Sequence, residues 1–197
     1  MKKRINNEMD VIFLLDRSGS MGGIEKDTIG GYNSYIDSQR GKNVKVTTIL
    51  FDDKYEVLHN RENIDNIKRL TNKEYYVRGC TALLDAIGKT IKTLESKNPN
   101  KVIFFITTDG YENASKEYNK SQIKELIESH KDWKFMYIGA DIDSYSEGAN
   151  IGITADNIAN YRKSSKGVTK LFSALSSASE CYYESNELKK SWKNELE

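Results

Sequence analysis

Val11-Ile12-Phe13-Leu14-Leu15-Asp16-Arg17-Ser18-Gly19-Ser20 runs without interruption from five apolar residues into a polar loop. An apolar run with no alternation suits a parallel strand covered on both faces, and a polar loop at its carboxyl end suits the open edge of such a sheet. The pattern returns at 102–106, ending in Thr107-Thr108-Asp109-Gly110, and at 135–138, ending in Gly139-Ala140-Asp141. A fourth run covers 44–51. Residues 55–58 follow it across Asp52-Asp53-Lys54, close enough for a hairpin and hence an antiparallel sheet edge.

Helical spacing fills the gaps. Leu84, Ile87, Ile91 and Leu94 recur with the helical period, as do Ile123, Leu126 and Ile127, and Asn98-Pro99-Asn100 stops the first of these. Ile24, Thr28, Tyr32 and Tyr35 or Ile36 form a face after the first loop. Gly30-Gly31 weakens that helix unless the pair permits close packing on the sheet. Val168, Leu171, Phe172, Leu175, Ala178 and Tyr182 form a stripe read as a helix docked on the sheet. Strands alternating with helices predict an α/β fold: a Rossmann-like open, mostly parallel sheet with one antiparallel edge strand and helices on both faces. Ligands of such sheets bind beyond the carboxyl ends of the strands, where strand order reverses.

The 197 residues suit one domain, placed at 9–190 between an N-terminal extension, 1–8, and a C-terminal tail, 191–197. Thirty Lys and Arg nearly balance 29 Asp and Glu, so no global field favours nucleic acid or an anionic membrane. No phosphate loop or basic-aromatic cluster adds a nucleic-acid signal. Cys80 and Cys181 have neither metal-type nor disulfide-framework spacing, which favours a reduced setting. Met1-Lys2-Lys3-Arg4 is basic, but the apolar run beyond Glu8 and Asp10 is too short for a signal peptide or membrane span. A cytoplasmic location is expected.

The chemistry lies at the polar loops. Asp16-x-Ser18-x-Ser20 sets three oxygen-bearing side chains at alternate positions, able to face one point above the sheet. Carboxylate and hydroxyl oxygens suit a hard cation, whereas zinc sites draw on His or Cys. Mg²⁺ takes six oxygens, more than one short loop supplies, so other loops must contribute. Two segments stand out: Thr81 within Gly79-Cys80-Thr81-Ala82-Leu83-Leu84-Asp85-Ala86, and Asp109 within Thr107-Thr108-Asp109-Gly110.

With these five positions in order, the chain resembles the von Willebrand factor A (integrin I-like) family, whose metal-ion-dependent adhesion site joins Asp-x-Ser-x-Ser to a separate Thr and a separate Asp. The likeness extends over about residues 9–153, and Thr28-Ile29-Gly30-Gly31-Tyr32-Asn33 is similar to standalone bacterial and phage members. The resemblance implies a Mg²⁺ ion, with Mn²⁺ or Ca²⁺ as substitutes. Ser18, Ser20 and Thr81 would touch it, and Asp16 and Asp109 would act mostly through water. A shell rich in neutral oxygens leaves the cation under-neutralised, so it seeks an Asp or Glu from a partner protein. The resemblance thus implies an interaction module and not an enzyme.

Other residues bear on the same region. Asp85, one helical turn beyond Thr81, is a candidate hydrogen-bonding support for the site, and Tyr75 and Tyr76 are candidates for a partner surface. Asp52 and Asp53 read as turn residues, Asp141 and Asp143 as the start of a helix, and Arg162, Lys163 and Lys166 as a solvated loop. Two alternatives compete. One is a scaffold or assembly subunit with a non-essential metal site. The other is a Mg²⁺-dependent phosphohydrolase with Asp16 as nucleophile, since Asp16 after a buried strand also resembles haloacid dehalogenase-like enzymes; their second Asp, two residues on, is Ser18 here.

Overall fold

Strands β1 (Met9–Asp16), β2 (Val44–Phe51), β3 (Tyr55–Asn63), β4 (Val102–Thr108), β5 (Lys134–Gly139) and β6 (Ile158–Asn160) form one sheet in the order β3-β2-β1-β4-β5-β6. The computed structural model describes residues 8–196; apart from Glu8 the N-terminal extension, like Glu197, lies outside the described residues. β2 and β3 pair antiparallel around the Asp52-Asp53-Lys54 turn, and the other neighbours pair in parallel. The expected fold class is the one observed.

β1 is buried along its whole length because its two faces serve two cores. Val11, Phe13 and Leu15 join one apolar cluster, and Ile12 and Leu14 join the other, as the alternation of a pleated strand dictates. Helices α1 (Glu25–Gln39) and α5 (Ser165–Ser185) cover the first face, where Phe13 meets Tyr32 and Tyr35 edge to face and Leu171, Phe172 and Leu175 close over them. Helices α2 (Leu83–Glu95), α3 (Lys120–Ser129) and α4 (Ser144–Asn150) cover the second, through Ile87, Ile91, Ile123, Ile127 and Tyr145.

Gly31 serves helix packing, not packing on the sheet as its sequence suggested. A Cβ there would run into the Phe172 ring of α5. Asp143 starts α4 as expected, accepting a hydrogen bond from Ser146 N at 3.0 Å. β6, three residues long, was not anticipated. Trp192 and Leu196 are buried in the α1–α5 cluster, and Trp192 Nε1 donates to Asp156 O at 2.9 Å. Among the described residues, no helix is long and apolar enough to cross a membrane.

The sheet sets the site. From β1 the chain passes to β2 on one side and later returns to β4 on the other. Leu15 stands level with Thr107, so the loops after Asp16 and Thr108 part at the crevice where strand order reverses.

Candidate metal centre

The loop after β1 is tied down at every residue. Ser18 N donates to Asp16 Oδ1 at 2.7 Å, Thr108 Oγ1 to Asp16 Oδ2 at 2.6 Å, and the Tyr75 hydroxyl to Asp16 O at 2.6 Å. Arg17 turns the opposite way, fully buried. Its Nε lies 2.9 Å from Asp52 Oδ2 and its Nη2 2.7 Å from Glu56 Oε2. Arg78 Nε shares Asp52 Oδ2 at 2.7 Å, and Lys54 N donates to Asp52 Oδ1. Burial opposes ionisation of Asp52, but Arg78, the Lys54 amide and Arg17 together hold its carboxyl below the ordinary range.

Above the sheet the five residues named from the sequence are brought together. Ser18 Oγ and Ser20 Oγ are 3.0 Å apart, and Ser20 Oγ donates to Asp109 Oδ1 at 2.6 Å. Thr81 comes in from the loop before α2. Gly110 defines the space between them: a Cβ at that position would lie 2.9 Å from Thr81 Oγ1, 3.1 Å from Ser20 Oγ and 3.8 Å from Ser18 Oγ. Three hydroxyls from two loops thus border one small space that a glycine from a third keeps open. Asp16, Ser18, Thr81 and Asp109 are buried while Ser20 is exposed, so the space opens to solvent on the Ser20 side.

The electrostatics call for positive charge. Burial pushes the Asp16 carboxyl up to about 6, against the hydrogen bonds from Thr108 and Ser18; nearby Asp109 pushes the same way as burial. The phenols of Tyr75 and Tyr161 lie well above their ordinary range, by burial first and then by the neighbouring Asp16 and Asp109 carboxylates. Lys163, expected in a solvated loop, instead sets its ammonium 2.8 Å from Asp109 Oδ2 and also donates to Ser20 O.

Sequence reading missed the clamp that positions Thr81. Asn113 Oδ1 accepts from Thr81 N at 2.9 Å, Asn113 N and Ala114 N donate to Thr81 O, and Glu112 Oε2 accepts from Leu84 N at 2.9 Å. Asp85 belongs to this clamp. Burial would raise its pKa, but the amides of Lys116, Glu117 and Tyr118, each at 2.9 Å, outweigh that and hold it below the carboxylate range. The polar pair Glu112-Asn113, separated from Asp109-Gly110 only by Tyr111, was the available signal. Tyr75 is buried. Tyr76 is 44% exposed, its ring centroid 5.7 Å from the Arg17 guanidinium and 5.4 Å from that of Arg78.

Among the described residues, no group of three or more His, Cys, Asp or Glu side chains could hold a metal ion. The five-residue cluster is of another kind, three hydroxyls with two carboxylates, a donor set that fits a hard cation with oxygen ligands.

No family model matches the chain, and no curated protein matches its sequence. Solved structures do match. Proximal thread matrix protein 1 from the mussel byssus, in a structure with a zinc-occupied MIDAS motif, is similar at a TM-score of 0.64 and 16% identity, over 86% of this chain and 45% of that one. The chain therefore spans less than half the length of the mussel protein. The vWF domain of a type V pili tip protein from Porphyromonas gingivalis matches at 0.66 and 9% identity, over 92% of this chain and 98% of that domain. A von Willebrand factor type A structure from Catenulispora acidiphila matches at 0.60 and 14%, over 87% and 42%. With its mostly parallel sheet, single antiparallel edge and helices on both faces, the chain has the fold of a von Willebrand factor A domain.

Proposed function

We propose that the chain is a metal-dependent protein-interaction module. Ser18, Ser20, Thr81, Asp16 and Asp109 would hold one divalent cation, Mg²⁺ by the hardness of the donors, with Mn²⁺ or Ca²⁺ as substitutes. The observation that carries this reading is the space over Gly110, bordered by three hydroxyl oxygens and backed by two carboxylates. When bound, the cation supplies a positive, oxygen-seeking contact for an Asp or Glu side chain of a partner.

The protein's own residues prepare that contact. Thr108 and Ser18 N fix both oxygens of Asp16, Ser20 fixes one oxygen of Asp109, and Tyr75 holds the backbone beneath. These bonds argue against Asp16 as a nucleophile, since both its oxygens already accept hydrogen bonds and the residue has no exposed surface. The mussel protein's zinc-occupied MIDAS supports the same reading by analogy of fold.

The test is calorimetric titration of the full chain with MgCl₂. Wild type should bind one equivalent, and Asp16→Ala and Ser18→Ala should lose binding while circular dichroism shows the fold retained. Unchanged affinity in both variants would refute the site. Capture of a protein partner with Mg²⁺ present, lost in chelator, would support the interaction role over a scaffold in which the metal is dispensable.

A further inference from the structure

Lys163 lies in the short connection between β6 and α5, 54 residues beyond Asp109 in sequence, yet its ammonium ends inside the cluster. It pairs with Asp109 Oδ2 at 2.8 Å and donates to Ser20 O. Ser20 Oγ donates to the other oxygen of the same carboxylate at 2.6 Å. The pair is largely sheltered, the Asp109 side chain being 1% exposed and the Lys163 side chain 23%. The connection is held at its two ends as well. Tyr161 N donates to Gly139 O, with its side chain buried, and Ser165 Oγ donates to Asp27 Oδ1 at 2.7 Å. Between these anchors, Lys163 fastens the connection to the cluster.

Taking the metal reading above as its basis, we propose that Lys163 is a built-in competitor for the cation: its ammonium neutralises Asp109 when no metal is held, and metal binding expels it and frees the connection before α5. Two cations drawn to one carboxylate whose side chain is almost wholly buried repel each other, so occupancy by one disfavours the other. The ammonium is a point charge on a flexible stem, able to leave without disturbing the sheet. Metal occupancy at the sheet edge is thereby converted into a change at the amino end of α5, the longest helix of the fold. A partner could then read the released segment as well as the ion.

Two measurements on the full chain test this. In titrations with MgCl₂ alone, Lys163→Met should bind about tenfold more tightly than wild type, the gain expected from removing a charge-assisted competitor. Lys170→Met, which removes an ammonium on α5 that donates to Glu195 O and not to the cluster, should leave affinity unchanged. In wild type, acylation of lysines by an amine-reactive ester, mapped by mass spectrometry, should modify Lys163 several-fold faster in saturating Mg²⁺ than in chelator. Asp16→Ala should abolish that response. Mg²⁺ binding by wild type, with equal or weaker affinity in Lys163→Met or with Lys163 acylation indifferent to Mg²⁺, would overturn the competition and leave the metal site standing. Failure of Mg²⁺ to bind either protein at millimolar concentration would remove both.

Discussion

Gly110→Ala is a sharp probe of the site because it adds one methyl group and removes no donor. The new carbon would sit 2.9 Å from Thr81 Oγ1, 3.1 Å from Ser20 Oγ and 3.8 Å from Ser18 Oγ, within the space those oxygens border. Gly110 is not among the residues at positive φ, so alanine brings no backbone strain. The contact with the buried, β-branched Thr81 is tighter than side chains accept, and relieving it costs about 1 kcal/mol, an overpacking penalty at the low end because one neighbour, Ser20, is exposed. Metal binding should suffer far more. Altering residues that only orient metal ligands typically lowers affinity about 10- to 100-fold, and a methyl placed among the donors themselves should exceed that, about 2.7 kcal/mol or more. Titration with MgCl₂ measures the affinity, and thermal melts in Mg²⁺ and in chelator separate it from stability. The expected pattern is a small drop in melting temperature in chelator and, in place of the upward shift expected of wild type in Mg²⁺, none. Wild-type Mg²⁺ affinity in Gly110→Ala would refute the reasoning, because no cation could then lie between the three hydroxyls.

Two further outcomes follow from the packing. Asp85→Ala, which strips the partner from three backbone amides, should destabilise the fold by about 2–3 kcal/mol in urea unfolding at neutral pH. Because the Asp85 carboxyl is held below its ordinary range, its contribution is complete above about pH 4 and fades as pH falls through the lowered folded-state value; a difference that grew on acidification would contradict the clamp. Gly31→Ala should cost about 1–3 kcal/mol by forcing Phe172 from α1, and Phe172→Leu in the same chain should recover part of it. Purely additive losses would place the clash elsewhere.

The sheet was legible because burial on both faces leaves a plain mark, an unbroken apolar run ending in oxygen-rich residues. β1, β4 and β5 all bear it, and the β2–β3 hairpin showed in the three-residue spacing at Asp52-Asp53-Lys54. β6 did not show, since Ile158-Ala159-Asn160 is too short to carry a period and pairs with β5 alone. The five cluster residues could be named because each follows or precedes an element that sequence already located. Their supports could not. Tyr75 and Tyr76 are adjacent and chemically alike, and only the fold decides that one lies under Asp16 while the other faces water. Lys163 looked solvated beside Arg162 and Lys166 because its reach to Asp109 depends on how β6 ends, a matter of tertiary geometry.

Arg17, pointing away from the cluster into Asp52, Glu56 and Arg78, bears on how such a site could be moved between proteins. Grafting Asp16, Ser18 and Ser20 onto another sheet would carry a fully buried guanidinium with them, and a host lacking acids at the equivalents of Asp52 and Glu56 would have to bury that charge alone. The unit that can be transplanted is therefore the loop together with the neighbouring hairpin. An insertion or deletion that shifts the Asp52-Asp53-Lys54 turn by one residue would misplace the serines without touching them.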